Sequence, residues 1–168
     1  MNDSFVIMGV AGCGKSSVGR QVATRLGLPL VEGDDFHSPE SRAKMRAGTA
    51  LTDADRRGWL QALAAQLQSH PQGVVLTCSA LKRAYREGLR AASPGLRFVF
   101  LQIDLASAQA RVAQRGAAHF FSASLVQSQF VALKDPNDEP RVLSLPATQA
   151  IDELCDAVSA WLIKKEQS

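Results

Sequence analysis

The chain has 168 residues, 46% of them hydrophobic and 21% charged, enough to bury roughly 70% of its unfolded surface around one core. Its formal charge of +3 comes from 19 basic and 16 acidic residues with no run of five or more like charges, which argues against a nucleic-acid or membrane-surface binder and suits a small anionic ligand. No stretch approaches the roughly 18 apolar residues of a membrane span, Met1-Asn2-Asp3-Ser4 lacks the basic segment of a secretory signal, and Cys13, Cys78 and Cys155 are odd in number and widely spaced, so the expectation is a cytoplasmic protein with reduced thiols and one domain over residues 1–168.

Short apolar runs alternate with longer amphipathic stretches, the pattern of βαβ units around a parallel sheet. The first strand, Phe5 to Met8, runs directly into Gly9-Val10-Ala11-Gly12-Cys13-Gly14-Lys15-Ser16, a complete phosphate-loop signature ahead of a helix over Ser16 to Leu26. Glycines let the main chain approach closely, so successive N–H groups can point at the phosphates of a nucleotide. Lys15 then reaches the β and γ phosphates and the Ser16 hydroxyl ligates Mg²⁺, with Ser17 following in the first helical turn. Cys13 reads as a small filler of the loop, a redox role being the alternative.

After a second strand, Leu30 to Glu32, comes Gly33-Asp34-Asp35-Phe36-His37. Carboxylates at the end of a parallel strand could hold the water shell of Mg²⁺ or accept a proton from an attacking hydroxyl, and His37 could hydrogen-bond a polar substrate; a plain Asp-Gly turn is the alternative. Helices are expected over Ser38 to Ala47 and Asp55 to Ser69, with Thr52 or Asp53 as the cap of the latter, capping being the stronger reading for Asp53, and Arg56 facing either a cleft or solvent. A strand over Val74 to Cys78 leads to a helix from Ala80 to Ala92. There Lys82, Arg86 and Arg90 fall at i, i+4 and i+8, with anion binding expected for the first two and solvent for Arg90.

The fourth strand, Arg97 to Ile103, and a helix over Ala106 to Arg115 bring Arg111 and Arg115 to the edge of an irregular segment, about residues 115–124, that contains His119. Arginines delivered by a closing lid would complement the charge of a transferring phosphoryl group; an ordinary helix-helix connection is the alternative. A helix from Ala123 to Leu133, a strand from Val142 to Leu145 and a helix from Ala150 to Lys165 complete the chain, the last placing Ile151, Leu154, Val158, Trp161 and Leu162 on one core-facing stripe. The fold expected is α/β, a five-stranded parallel sheet with helices on both faces and a small lid.

Gly9 to Ser16, Gly33-Asp34-Asp35-Phe36-His37, Lys44-Met45-x-x-Gly48, Leu51-x-Asp53-x-Asp55-Arg56-x-x-Trp59-Leu60, Cys78-Ser79-Ala80-Leu81-Lys82-x-x-Tyr85-Arg86, His119-Phe120-Phe121 and Ser128-Gln129-Phe130 together resemble the bacterial P-loop gluconokinase family. That family is related in fold to shikimate and adenylate kinases, a nucleoside-monophosphate-kinase-like architecture. The resemblance runs nearly end to end, although Ser41 stands where the family usually has Asn and Ala118 where it has Gly. It implies transfer of the ATP γ-phosphoryl group to the 6-hydroxyl of D-gluconate, giving 6-phosphogluconate and ADP, with Mg²⁺, in a cytoplasmic enzyme that is commonly a homodimer. Residues near Pro140 to Leu143 become candidates for adenine contacts by position in related kinases.

Gluconate offers one carboxylate and a row of hydroxyls, so cations should hold the acid end and carboxylate or imidazole groups the polyol. Lys82, Arg86 and Arg56 are the candidates for the first need, and Asp34, Asp35 and His37 for the second, with His119 supplied by the lid. Lys15, Mg²⁺ on Ser16 and Asp34, and Arg115 are expected to stabilise the transferring group, Asp34 also positioning or deprotonating the hydroxyl, while Arg111 flanks the nucleotide. The rivals are a related small-molecule kinase for shikimate, a nucleoside monophosphate or adenylylsulfate, and a non-catalytic nucleotide switch, which would need no polar second pocket.

Overall fold

Every residue of β1 (Phe5–Met8) is buried, and the strand separates two cores. In the computed structural model, which describes residues 3–115 and 123–164, Phe5 and Ile7 pack toward α1 (Lys15–Leu26) and α7 (Ile151–Lys164) through Val18, Val22, Leu154, Val158 and Leu162. Val6 and Met8 face the opposite way, against Trp59, Leu63 and Leu67 of α3 (Asp53–Ser69) and Leu89 of α4 (Arg83–Ala92). Alternate side chains leave a strand on opposite faces, so a strand covered by helices on both must be apolar throughout.

The sheet is wholly parallel, in the order β2-β3-β1-β4-β5, with β2 (Leu30–Glu32), β3 (Val75–Thr77), β4 (Arg97–Gln102) and β5 (Val142–Pro146). Glu32 pairs with Thr77, and Thr77 with Ile7, so the segments after β1, β2 and β3 leave the sheet side by side at its carboxyl edge. A third apolar cluster supports this edge, formed by Val10, Met45, Leu51, Leu81, Ala108, Val112, Leu125 and Val126. It joins the phosphate loop to α2 (Pro39–Arg46), α5 (Leu105–Arg115) and α6 (Val126–Ala132).

The five parallel strands and the helices on both faces match the expectation from sequence, including a half-buried Trp161 against the α1 face. Several boundaries shift by a few residues, two of them at helix starts that bear on the site. Ala80 is held at φ 46° and Lys82 is extended, so α4 starts at Arg83 instead of Ala80. Thr52, not Asp53, caps α3: its hydroxyl accepts from the Asp55 N–H at 3.1 Å while the Asp55 carboxylate accepts from the Thr52 N–H at 2.9 Å, a reciprocal box that leaves Asp53 available elsewhere. Among the described residues no helix is long and apolar enough to cross a membrane. Most of the expected lid, with His119, lies outside the described residues.

Candidate active site

The phosphate loop is built from main chain. Gly14 adopts φ 94° at the start of α1, and no side chain caps that helix, so the N–H groups of its first turn are left to an anion. Gly12, at φ 84°, has no room for more: a Cβ there would sit 2.8 Å from the Ala108 carbonyl oxygen. Lys15 Nζ donates to the carbonyls of Gly9 at 3.0 Å and Val10 at 3.1 Å, which holds the ammonium at the mouth of the loop. Cys13 is buried beneath it, as a filler. Arg111 braces the loop from α5, donating to the Gly12 and Ala147 carbonyls at 3.2 Å each. From α6, Gln129 Oε1 accepts the Ala11 N–H at 2.7 Å, a contact between residues 118 positions apart.

Beside the loop, the Ser16 hydroxyl donates to Glu32 Oε2 at 2.9 Å, and Thr77 donates to the same oxygen at 2.6 Å. With its proton given to Glu32, Ser16 keeps its lone pairs for a cation. Gly33 follows with its Cα pressed on β3, where a Cβ would meet the Thr77 carbonyl oxygen at 2.2 Å, and its own carbonyl accepts from Trp59 Nε1 at 2.7 Å. This clamp delivers Asp34 to the cleft with its side chain half exposed, next to His37 Nε2 at 3.8 Å from Asp34 Oδ1. Ser16, Glu32 and Asp34 are hard oxygen ligands of the kind Mg²⁺ takes, but no group of three or more acidic, His or Cys side chains among the described residues forms a cage. The donor set would fit a largely hydrated divalent ion held by few protein oxygens.

His37 stacks on Trp59 with ring centroids 4.4 Å apart and planes 16° from parallel. Burial, opposed by the Asp34 carboxylate, holds its pKa below the ordinary imidazole value, so the ring is neutral at pH 7. Its buried Nδ1 has no hydrogen-bond partner. Asp35, by contrast, is exposed and lies off the cleft. Burial likewise pushes the Cys78 thiol up to about 12, so it packs as a thiol and cannot serve as a nucleophile.

The expected cations separate. Arg56 and Arg115 line the same cleft as Lys15, Ser16, Asp34 and His37. Lys82 instead pairs with Asp53 at 2.8 Å on the rim. Arg86 does not reach the cleft at all: it is fully buried, donating to Glu139 at 2.9 Å and to the carbonyls of Ala80, Leu81 and Lys134 at 2.8, 3.1 and 2.9 Å. The late start of α4 explains this, because it places Arg86 in the first turn, under the 80–82 segment. Arg90, expected in solvent, also bonds Glu139 at 2.8 Å and lies 4.7 Å over the Phe98 ring.

A second cleft flanks the loop on its other side, lined by Gly14, Ser17, Arg111, Arg115, Ala147 and Gln149 among others. Pro140 to Leu143 do not line it. Val142 pairs with Phe98 near the start of β4, so this segment lies toward the far end of a parallel sheet, whereas the residues after β5 return to the loop. Glu32 carries no role in the sequence reading, and Gln129 stands there only within the Ser128-Gln129-Phe130 motif of the resemblance, with no role attached. An acid closing the strand before Gly33 was a usable signal for the first; nothing local pointed Gln129 to Ala11.

A family described as an AAA domain matches residues 5–140. A gluconokinase of Gluconobacter oxydans strain 621H is 43% identical over 142 residues, covering 83% of this chain and 79% of that protein. The thermoresistant gluconokinase of Escherichia coli strain K12 is 38% identical over 165 residues, 96% of this chain and 93% of its own. The crystal structure of a gluconokinase from Sinorhizobium meliloti 1021 superposes with a TM-score of 0.87 at 43% identity, covering 96% of this chain and 91% of that one.

Proposed function

This chain belongs to the gluconokinase family, and on that premise we propose that it transfers the γ-phosphoryl group of ATP to the 6-hydroxyl of D-gluconate. The observation that carries the reading is a single cleft lined at once by Gly12, Gly14, Lys15 and Ser16 and by Asp34, His37 and Arg56, which puts a phosphate cradle against a polar pocket of both charges. A nucleotide switch has no need of the second half.

In this reading the nucleotide phosphates lie along residues 9–17, with the base toward Arg111, Ala147 and Gln149. Ser16, supported by Glu32, and Asp34 would hold Mg²⁺, which would neutralise phosphate charge when bound. Lys15 leaves its loop carbonyls for the γ phosphate, and Arg115, at the end of α5, completes the charge complement. Asp34 orients the acceptor hydroxyl and takes its proton. His37 hydrogen-bonds the polyol through Nε2, the nitrogen beside Asp34, and Arg56 meets the carboxylate. A single kinase domain, a homodimer and a cytoplasmic setting belong to the same reading; the buried free Cys13, Cys78 and Cys155 support the last.

The test is ADP release from MgATP with D-gluconate, shikimate, AMP or no acceptor. Release only with gluconate is the expected outcome. A rate with gluconate no higher than without acceptor, while another acceptor works, overturns the substrate assignment and leaves the phosphate site standing.

A further inference from the structure

Arg56 is the cation on the acceptor side of the cleft. It lines the pocket wall, yet among the described residues it forms no ion pair. Its hydrogen-bond partner is neutral: Arg56 Nη1 donates to the Tyr85 hydroxyl at 3.3 Å, and the guanidinium carbon lies 5.8 Å from the Tyr85 ring centroid. Tyr85 in turn donates its own proton to Asp53 Oδ1. The same oxygen accepts from Lys82 Nζ at 2.8 Å.

The polarity of this chain is forced. A phenol has one proton, and with that proton on Asp53 its oxygen can only accept from Arg56. Lys82 takes the direct ion pair with Asp53, so Asp53 orients Tyr85 and acts on the guanidinium only at longer range. The titration behaviour is consistent: hydrogen bonds from Lys82 and Tyr85 lower the Asp53 pKa, and burial together with the Asp53 bond raises that of Tyr85. Three side chains thus hold the cation of a fourth in place, Asp53 acting on the guanidinium through space and through Tyr85 with no direct ion pair.

We propose that Tyr85 is a positioning residue for the acceptor carboxylate, acting through Arg56 as the link of a Lys82–Asp53–Tyr85–Arg56 relay. The relay rests on the acidic-acceptor reading given above. It makes the enzyme discriminate between acids and neutral polyols of the same chain length: an arginine held by a neutral phenol keeps its full attraction for an anion, whereas one already bound to a carboxylate would not. Lys82, expected to bind the acceptor itself, instead tunes the link.

The test is a double-mutant cycle with Tyr85→Phe and Arg56→Gln in the full chain, reading KM and kcat for D-gluconate, KM for ATP, and gluconate binding by calorimetry. Phenylalanine keeps the ring in the core and removes only the hydroxyl. Tyr85→Phe should raise the gluconate KM about tenfold, leave the ATP KM within twofold, and lose most of its effect in the Arg56→Gln background. Thermal melting reports whether the variant is folded, and an Asp53→Asn variant, whose amide oxygen still accepts from the phenol, should have a smaller effect than Tyr85→Phe. An unchanged gluconate KM in Tyr85→Phe overturns the proposal. So does an equal rise in both KM values, or additivity in the cycle. If the wild-type protein shows no gluconate-dependent ADP release, the functional reading itself fails; if it turns gluconate over normally and Tyr85→Phe does too, only the relay fails.

Discussion

The two halves of the cleft are made differently. At the phosphate half, contacts come from consecutive main-chain groups between β1 and α1, and the glycines are there because side chains would collide or strain. At the acceptor half, each group is held by another side chain from a distant segment: Asp34 by the Gly33–Trp59 clamp, His37 by stacking on Trp59, Arg56 by Tyr85. A main-chain site depends on a short stretch of sequence folding in one way. A side-chain site depends on the surrounding packing, and so can be retuned or lost piece by piece.

Removing a charge from the first half gives the largest expected effect. Lys15→Ala should lower kcat by about 10²- to 10³-fold, the cost of losing one preorganised charge donor to a developing anion. Its melting temperature should stay close to the wild-type value, since Lys15 Nζ bonds only groups of its own loop, the Gly9 and Val10 carbonyls and the Cys13 sulfur. Steady-state kinetics beside a thermal melt checks both. A variant that kept its kcat would dissolve the distinction, because the loop would then be a fold element and not a reaction element.

Arg86→Ala tests the opposite case, a cation of the same helix face that serves the fold. Arg86 is fully buried against Glu139, so removing it strands a carboxylate in the core next to Arg90. Breaking a buried pair this way costs about 3–5 kcal/mol. Denaturant unfolding should show that loss, while the gluconate KM of the folded fraction stays within about twofold of wild type. A tenfold rise in KM at unchanged stability would return Arg86 to the substrate site.

The contrast also explains what could be read from the chain alone. The five parallel strands and the phosphate loop follow from patterns a few residues long: an apolar run, a glycine signature, a helical period. For the i, i+4, i+8 row of Lys82, Arg86 and Arg90, helical spacing gave the common face but not what that face meets. That depended on the left-handed Ala80, which delays α4, and on Glu139, which lies 53 positions from Arg86. The Ser128-Gln129-Phe130 motif marks Gln129 but not its role, for the same reason: its partner is the main-chain N–H of Ala11, 118 positions away.

The smallest expected effect comes from His37, and it distinguishes packing from chemistry at the acceptor wall. In the unfolded chain its imidazole takes up a proton near pH 6.5. In the folded protein burial against Trp59 lowers that pKa, Arg42 and Arg56 acting in the same direction and the Asp34 carboxylate against it. Between the two values the unfolded state holds the extra proton, so stability is fully present above about pH 6.5 and is lost as pH falls through the folded pKa. Melting temperatures from pH 7.5 down to 5.5 should therefore fall more steeply for the wild type than for His37→Asn, which has no imidazole to protonate. Parallel slopes would mean that His37 takes up its proton equally easily in both states, and the stacked ring would then be no barrier to charging. With the steeper wild-type slope, the folded ring stays neutral and hydrogen-bonding on mild acidification, and the protein loses stability because only the unfolded chain takes up the proton.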